Sequence, residues 1–267
     1  MSALPPVSPL RAKSATLLRG TSHAFSLIEL LAVIGIVALL AVAVGPVITG
    51  IMSGQGLSSA AYGISDTLGH ARAYAVAHNT YVWVGIDEVD QAVSPSASPQ
   101  TDGVGRVALS VIASRDGTRI YDPGGDISSD WTAKTADGSR LSQISKLLRF
   151  DHVHLDGSLE PGASGGGMER PPVESEYRVS MSAPPSAVTF RYPLPAATGS
   201  ARHTFEHVIE FDPQGSARLF VGGEPKLARQ IEVGMRPTKG NTLVAGEVNQ
   251  AAVQVDGLTG ATAIYRP

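Results

Sequence analysis

The sequence predicts an α+β fold, in which a long N-terminal transmembrane and amphipathic helix packs on an antiparallel β-sheet domain. Three observations lead to this prediction. A 22-residue stretch from Leu30 to Ile51 contains no charged residue. Apolar residues then recur at helical spacing as far as position 75. Beyond that point, short strand-like segments alternate with turn residues through the rest of the 267-residue chain.

The uncharged stretch has the length of a membrane-spanning helix. An α-helix of this length rises about 33 Å, which matches the thickness of a bilayer core. Arg11, Lys13 and Arg19 precede the stretch, and Asp66 is the first acidic residue after it. The positive-inside rule therefore predicts that residues 1–24 lie in the cytoplasm and that the chain beyond about residue 52 lies outside.

A secretory signal peptide is the main alternative explanation of this N-terminus. The tripeptide "AVA" at 41–43 fits a small-x-small cleavage site. Two features count against it. Glu29 lies within the apolar region, where a signal peptide gains nothing from a carboxylate, and apolar residues continue beyond the site as far as Ile51.

The segment "AFSLIEL" (24–30), followed by about twenty apolar residues, resembles the class III signal of type IV pilins and type II secretion pseudopilins. The resemblance implies that a prepilin peptidase cuts between Ala24 and Phe25 and methylates the new amino terminus on Phe25. It also makes Glu29 the fifth residue of the mature chain, where the family has its glutamate. Pro46 falls where many pilins have a helix-kinking proline. The chain departs from the family at Ala24, where glycine is usual.

Glu29 is a charged residue in an apolar segment, where membrane insertion of a carboxylate costs about 2.5–3.5 kcal/mol. One interpretation is that Glu29 pairs with the free amino group of a neighbouring subunit's first residue and so sets the register between subunits. The alternative is that its carboxylate reaches the cytoplasmic interface and has no partner. The surrounding "FSLIEL" favours the assembly role.

The helix is predicted to continue beyond the apolar stretch and to end near His78–Asn79. Apolar residues at spacings of three and four form one stripe, as expected for an amphipathic helix lying on a sheet. The stripe consists of Leu57, Ala61, Ile64, Leu68, Ala71 and Ala75. The predicted organisation is thus a leader at 1–24, a transmembrane helix at 25–52, its amphipathic continuation at 53–79 and a periplasmic β domain at 80–267.

Ten segments rich in Val, Ile, Phe and Tyr predict the strands of that domain. They cover residues 81–86, 106–113, 146–150, 177–181, 187–192, 207–211, 217–221, 229–233, 251–255 and 261–265. The segments "DPQG" (212–215) and "DGLTG" (256–260) are typical of hairpin turns. Long loops rich in Pro, Ser and Gly separate several of the strands.

Three further segments sharpen the resemblance. "LGHARAYAVAHNTYVWVGI" is similar to the passage from helix to first strand in H-type minor pseudopilins. "IEFDPQGSA" and the closing "VQVDGLTGATAIYRP" resemble a strand turn and a terminal hairpin of that group. The ending also resembles the D type of the pseudopilin-like cassette proteins of Verrucomicrobia. Residues 87–205 carry no resemblance to a known family.

Two histidine-containing segments are weak candidates for a metal site. "HTFEH", from His203 to His207, fits the H-x-x-E-H pattern of one metalloprotease class, which requires both imidazoles on one helical face. The following "VIEF" is a strand pattern, and on a strand the two histidines lie about 13 Å apart. "DHVH" places His152 and His154 on one strand face, but no further ligands can be identified.

The amino-acid composition excludes several kinds of functional site and disfavours nucleic-acid binding. The chain has no cysteine, which excludes disulfides, zinc–thiolate sites and cysteine nucleophiles. Beyond residue 24 there are 18 basic and 24 acidic residues, and such an acidic body is not expected to bind nucleic acid. A DNA-uptake pilin is therefore disfavoured, and a surface adhesin stays a third alternative.

The sequence predicts a non-enzymatic pilin-like subunit, a minor pseudopilin or minor pilin, with no cofactor. Its expected location is the inner membrane and then a filament. The partners implied by the resemblance are other pilins or pseudopilins, a prepilin peptidase, an inner-membrane assembly platform and membrane lipid. The alternative from another class is a membrane-tethered periplasmic metal-binding or hydrolase domain that uses the histidine-containing segments.

Overall fold

A helix and a series of short β-strands make up the described part of the chain. The computed structural model describes residues 26–119, 141–159, 168–180, 189–193, 202–221, 224–244 and 249–267, except for the side chains of residues 41–54. The helix α1 spans Leu27–His78. The strands are β1 (Val82–Asp90), β2 (Gly105–Ser114), β3 (Leu141–Gln143), β4 (Leu148–Asp151), β5 (Val153–Leu155), β6 (Arg178–Val179), β7 (Phe190–Tyr192), β8 (His203–Phe205), β9 (His207–Phe211), β10 (Ala217–Val221), β11 (Glu224–Lys226), β12 (Gln230–Lys239), β13 (Thr242–Leu243), β14 (Ala251–Asp256) and β15 (Thr262–Tyr265).

The predicted fold class is wrong. The described structure is mostly antiparallel β-sheet, and its strands form separate sheets rather than a single sheet beneath a membrane-anchored helix. Within the residues whose side chains are described, no helix contains an apolar stretch long enough to cross a membrane. The chain divides into two compact units, Met1–Val47 and Ile48–Pro267, and all strands of the described residues belong to the second.

The first sheet has the strand order β11-β10-β9-β1-β2-β3, with β4 also pairing with β2. The second has the order β13-β12-β14-β15, with β5 and β6 also pairing with β12. The β6–β12 pair is parallel, whereas the other pairs are antiparallel. Strands β7 and β8 form a two-stranded ribbon that pairs with neither sheet among the described residues.

The apolar stripe predicted on the helix is confirmed. Its six members are fully buried, and the helix ends at His78 as expected. Asn79 stops the helix because its backbone adopts a left-handed conformation with φ of 49°, which asparagine tolerates better than most residues. The N–H of Thr80 then donates to the carbonyl of Ala75 at 3.0 Å, which satisfies one of the free carbonyls of the last turn.

One hydrophobic cluster joins the helix stripe to strands of both sheets. Val84 on β1 and Ile209 on β9 contribute to it from the first sheet, and Val233 on β12 and Val253 on β14 contribute from the second. Each large aliphatic side chain buried in this way stabilises the fold by about 1.5–3 kcal/mol. A smaller cluster on the opposite face of the first sheet includes Trp83.

All ten predicted strand segments contain a strand, although several boundaries differ. Residues 207–211 and 217–221 are strands with the predicted bounds, and both predicted hairpin turns connect neighbouring antiparallel strands. Strand β12 is longer than predicted and extends to Lys239. The strands β3, β5, β8, β11 and β13 were not predicted, because each has only two or three residues.

Two glycines on α1 give a matched test of how closely the helix lies on the first sheet. A Cβ added at Gly63 would overlap the Phe150 ring on β4, whereas one added at Gly69 would meet no atom within 4 Å. Replacement of glycine by alanine at either position stabilises the helix by about 1 kcal/mol through the higher helix propensity of alanine. Overlap with Phe150 costs about 1–3 kcal/mol at Gly63 alone.

We therefore expect Gly69→Ala to raise the free energy of unfolding and Gly63→Ala to lie below it by about 1–3 kcal/mol. Urea unfolding of the two variants beside the unchanged chain measures this difference. Equal gains in both variants would contradict the close approach of the helix to β4.

Candidate functional site

The N-terminal end of α1 is fixed by Ser26. Its side-chain Oγ accepts a hydrogen bond from the Glu29 N–H at 3.2 Å, and its carbonyl accepts one from the Leu30 N–H at 3.1 Å. This is the arrangement of an N-cap serine, which satisfies otherwise free N–H groups of the first helical turn. The exposed Glu29 carboxylate lies in that same turn. A negative charge there is favoured by the positive end of the helix dipole.

The helix that follows is apolar on all sides. Every large hydrophobic side chain from Leu27 to Leu40 is at least half exposed, from 52% for Val33 to 83% for Leu27. A helix that is apolar all round is normally covered by other apolar groups. The surface formed by residues 27–40, hereafter the apolar collar, therefore requires a partner of that kind.

Three other predicted residues of the N-terminal site lie wholly or partly outside the described structure. Ala24 and Phe25, the predicted cleavage and methylation positions, lie outside the described residues. Pro46 lies in the stretch whose side chains are not described, and its predicted kink stays a prediction; α1 is assigned as helix through this position.

The structure does not place His203 and His207 on a helix. They lie on the consecutive strands β8 and β9, separated by Glu206. His207 is paired with Ile86, so its side chain lies on the helix side of the first sheet. His203 lies on the opposite face, where its Nδ1 is 3.6 Å from Asp87 Oδ2. The geometry that the metalloprotease motif needs is therefore not formed.

His152 and His154 are also separated. His154 lies on β5, whereas His152 precedes that strand with a left-handed backbone, φ of 65°. The His152 ring contacts the Gln91 side-chain nitrogen at 3.2 Å, and His154 Nδ1 donates to the Glu88 carboxylate at 3.0 Å. Across the described residues, no three His, Asp or Glu side chains are grouped so that they could hold a metal ion.

Glu88 links the two sheets from a fully buried position on β1. Its carboxylate accepts the Gly105 N–H from β2 at 2.9 Å and the Leu155 N–H from β5 at 3.1 Å, in addition to His154. Because β5 belongs to the second sheet, this one carboxylate connects both sheets. Bonds of this kind between a charged acceptor and buried donors are among the stronger ones in proteins.

Two more buried glutamates also accept hydrogen bonds from several donors. Glu210 on β9 accepts from the Trp83 indole N–H at 3.0 Å and from two guanidinium nitrogens of Arg119. Glu232 on β12 accepts from the Arg170 guanidinium at 2.6 and 2.9 Å and from Gln254 at 2.8 Å. Sequence reasoning missed all three glutamates. The available signal for these glutamates was a carboxylate among apolar strand residues, and this signal does not indicate which residue is the hydrogen-bond partner.

A cavity of about 410 Å³ lies between β6 of the second sheet and β9 and β10 of the first. Arg178, Ser180, His207 and Phe220 contribute to its lining. The Arg178 guanidinium donates to the carbonyls of Val173, at 2.8 and 3.1 Å, and of Gly157, at 3.1 Å. These bonds connect β6 to two segments that precede it in the chain, so the role of this arginine is structural.

Comparisons of the chain with protein-family models, with curated proteins and with solved structures find no match.

The role of Glu88 predicts a specific loss of stability. Glu88→Gln keeps the shape of the side chain but turns an amide NH2 group toward buried N–H donors. An unsatisfied buried donor costs about 1–3 kcal/mol, so we expect the free energy of unfolding to fall by that amount. The matched control is Glu174→Gln at an exposed position, where the change should stay within about 0.5 kcal/mol. Equal urea midpoints for the two variants would contradict the proposed link.

Proposed function

We propose that this protein is a pilin-like subunit, a minor pseudopilin or minor pilin, that joins a filament through its N-terminal helix. The single observation that carries the proposal is the segment "AFSLIEL" leading directly into the apolar collar. A prepilin-type signal accounts for a carboxylate at that position, and helix packing in a filament accounts for apolar side chains on every side of the helix.

The described end of α1 supports the first step. Cleavage before Phe25 would leave Ser26 as the second residue of the mature chain, and Ser26 is the N-cap of the helix. The helix would thus begin almost at the new amino group. Glu29 stands one helical turn away, so the charged ends of neighbouring subunits can approach each other without an intervening flexible segment.

Pairing between subunits supplies the register of assembly. A carboxylate that leaves water for an apolar environment is costly unless it is paired, and the amino group of a neighbouring Phe25 is a suitable cation. The apolar collar would contribute buried apolar surface to the contact between subunits. Glu29 would select one axial position of a subunit relative to its neighbour out of many. Assembly, rather than catalysis, is the activity in this proposal.

The second unit of the chain would project from the filament. Its helix stripe and both sheets share one core. The proposed partners are other pilins or pseudopilins, a prepilin peptidase and an inner-membrane assembly platform. Before assembly, residues 1–24 would lie in the cytoplasm and the β domain in the periplasm, with the precursor held at the lipid of the inner membrane. No cofactor and no nucleic acid take part.

The histidine-containing segments carry no second proposal. His154 is bonded to a buried carboxylate, and His203 faces another in the protein interior.

Intact-mass and N-terminal analysis of the protein from native membranes tests the processing step. We expect a mature chain that begins at N-methylated Phe25. A chain that begins at Val44 would indicate an ordinary secretory signal, and an uncut chain that retains Met1 would remove the main support for the proposal.

A charge substitution tests the assembly step. Glu29→Gln should still be cleaved, but its recovery in sedimentable filaments should fall by about tenfold or more, since each 1.4 kcal/mol of lost contact energy is a factor of ten. Asp66→Asn is the matched control, because Asp66 is another exposed carboxylate on the same helix. Equal incorporation of both variants would contradict the pairing role of Glu29.

A further inference from the structure

The outer face of the first sheet is covered by the ribbon formed by β7 and β8. Strand β8 continues into β9 through Glu206, which attaches the ribbon to the sheet at one end. At the other end, the Gln100 N–H donates to the Arg202 carbonyl at 2.9 Å. Between these two points, the described contacts between the ribbon and the sheet are made by side chains.

The ribbon lies directly on β1. A Cβ added at Gly85 would come within 2.6 Å of atoms of both Phe190 and Phe205. These two rings are 4.9 Å apart and cover apolar side chains of the sheet that include Trp83 and Ile112. The ribbon therefore shields an apolar surface that would otherwise be exposed to water.

A polar pair lies in the same contact, close to the Arg202 end of the ribbon. The side chains of Asp87 on β1 and His203 on β8 are 6% and 0% exposed, and the closest approach of 3.6 Å is too long for a good hydrogen bond. Both ring nitrogens of His203 are buried with no hydrogen-bond partner among the described residues. The Asp87 carboxylate is thus held in the interior by an imperfect contact.

Within the described part of the chain, a few other charged groups lie close to this pair. Asp102 acts on Asp87 from the bridge that it forms beside β1. Arg106 and Arg149 lie on the same sheet face, on β2 and β4, but Arg106 is bonded to Asp151 and Arg149 to the Pro95 carbonyl. On the ribbon, Tyr192 is the residue paired with His203.

We propose that Asp87 and His203 form a proton-operated latch, which holds the β7–β8 ribbon on the sheet when Asp87 is protonated and lets the ribbon lift when Asp87 ionises. Lifting would return the carboxylate to water and uncover the apolar face around Trp83. Glu206 is the hinge, because β8 and β9 meet there.

The direction of the response follows from the environment of Asp87. Burial raises the pKa of its carboxyl, and the negative charge of Asp102 adds to this effect; His203 and the Glu88 backbone N–H oppose it but do not overcome it. The closed form therefore binds the proton more tightly than the open form. The ratio of closed to open molecules falls as pH rises from the ordinary aspartate pKa of about 3.9 to the raised value, by up to tenfold per pH unit.

Hydrogen exchange on the full-length chain in detergent, between about pH 4 and pH 8, tests the latch. Protection factors, corrected for the intrinsic exchange rate, are compared for amides of the ribbon and for amides of β12. We expect ribbon protection to fall with rising pH while β12 protection stays constant. Ribbon protection that is independent of pH, or that rises with pH, would overturn the proposal.

Variants distinguish the effect of the Asp87 charge on ribbon protection from the effect of side-chain size. Asp87→Asn removes the titration with little change in size, so its ribbon should keep the low-pH protection of the unchanged chain at every pH. Asp90→Asn, on the same strand, is the control and should keep the pH response. Gly85→Ala should lower ribbon protection at all pH values, because the new methyl group occupies the space of the two phenylalanine rings. A pH response retained in Asp87→Asn would overturn the proposal.

If Asp87→Asn does not fold, the unchanged chain still provides the test. Carbon-13 NMR of the Asp87 carboxyl gives its titration midpoint directly. The proposal requires the loss of ribbon protection to follow this titration, and two separate midpoints would overturn it.

Discussion

The packing of one helical stripe is the constraint on which the described β structure depends. The stripe from Leu57 to Ala75 presents fully buried residues to strands of both sheets at once. Strands β1 and β9 of one sheet and β12 and β14 of the other share the same hydrophobic cluster with the helix. A sheet that buries only one face needs such a partner to be stable. The segment of the helix from Leu57 to Ala75 is therefore part of the core.

Buried carboxylates fix the positions of segments that the apolar core alone would leave undetermined. Glu88, Glu210 and Glu232 each receive donors from residues far away in the sequence. Breaking a buried pair costs more than forming it contributes, since an unpaired charge remains in the interior. Such contacts therefore mainly destabilise incorrect arrangements of the chain, in which the buried charge would have no partner. Asp87 differs from these three because the closest atom of His203 lies 3.6 Å away, beyond a good hydrogen-bond distance, and burial raises the pKa of its carboxyl.

Local patterns were sufficient to predict the elements that are long and regular. The spacing of Leu57, Ile64 and Leu68 identified the buried helix face, and apolar runs such as "HVIEF" and "ARLFV" identified strands to the residue. The division of the strands between sheets could not be predicted, because the pairing of β1 with β9 joins residues more than a hundred positions apart. For the same reason the fold class was predicted wrongly. A glutamate in a strand pattern suggests a solvent-exposed position, and only tertiary structure shows that Glu88 faces His154 in the interior.

The position of β14 has a consequence for how the chain acquires its structure. This strand lies in the middle of the second sheet, between β12 and β15, yet its residues, Ala251–Asp256, are close to the end of the sequence. The shared core stays open on that side until these residues arrive. Contacts between distant parts of a chain form slowly, and the unfinished sheet meanwhile presents unpaired edges that favour aggregation. Completion of the second sheet thus waits for the arrival of β14, so that chaperones in the compartment where the chain emerges have a long interval in which to act.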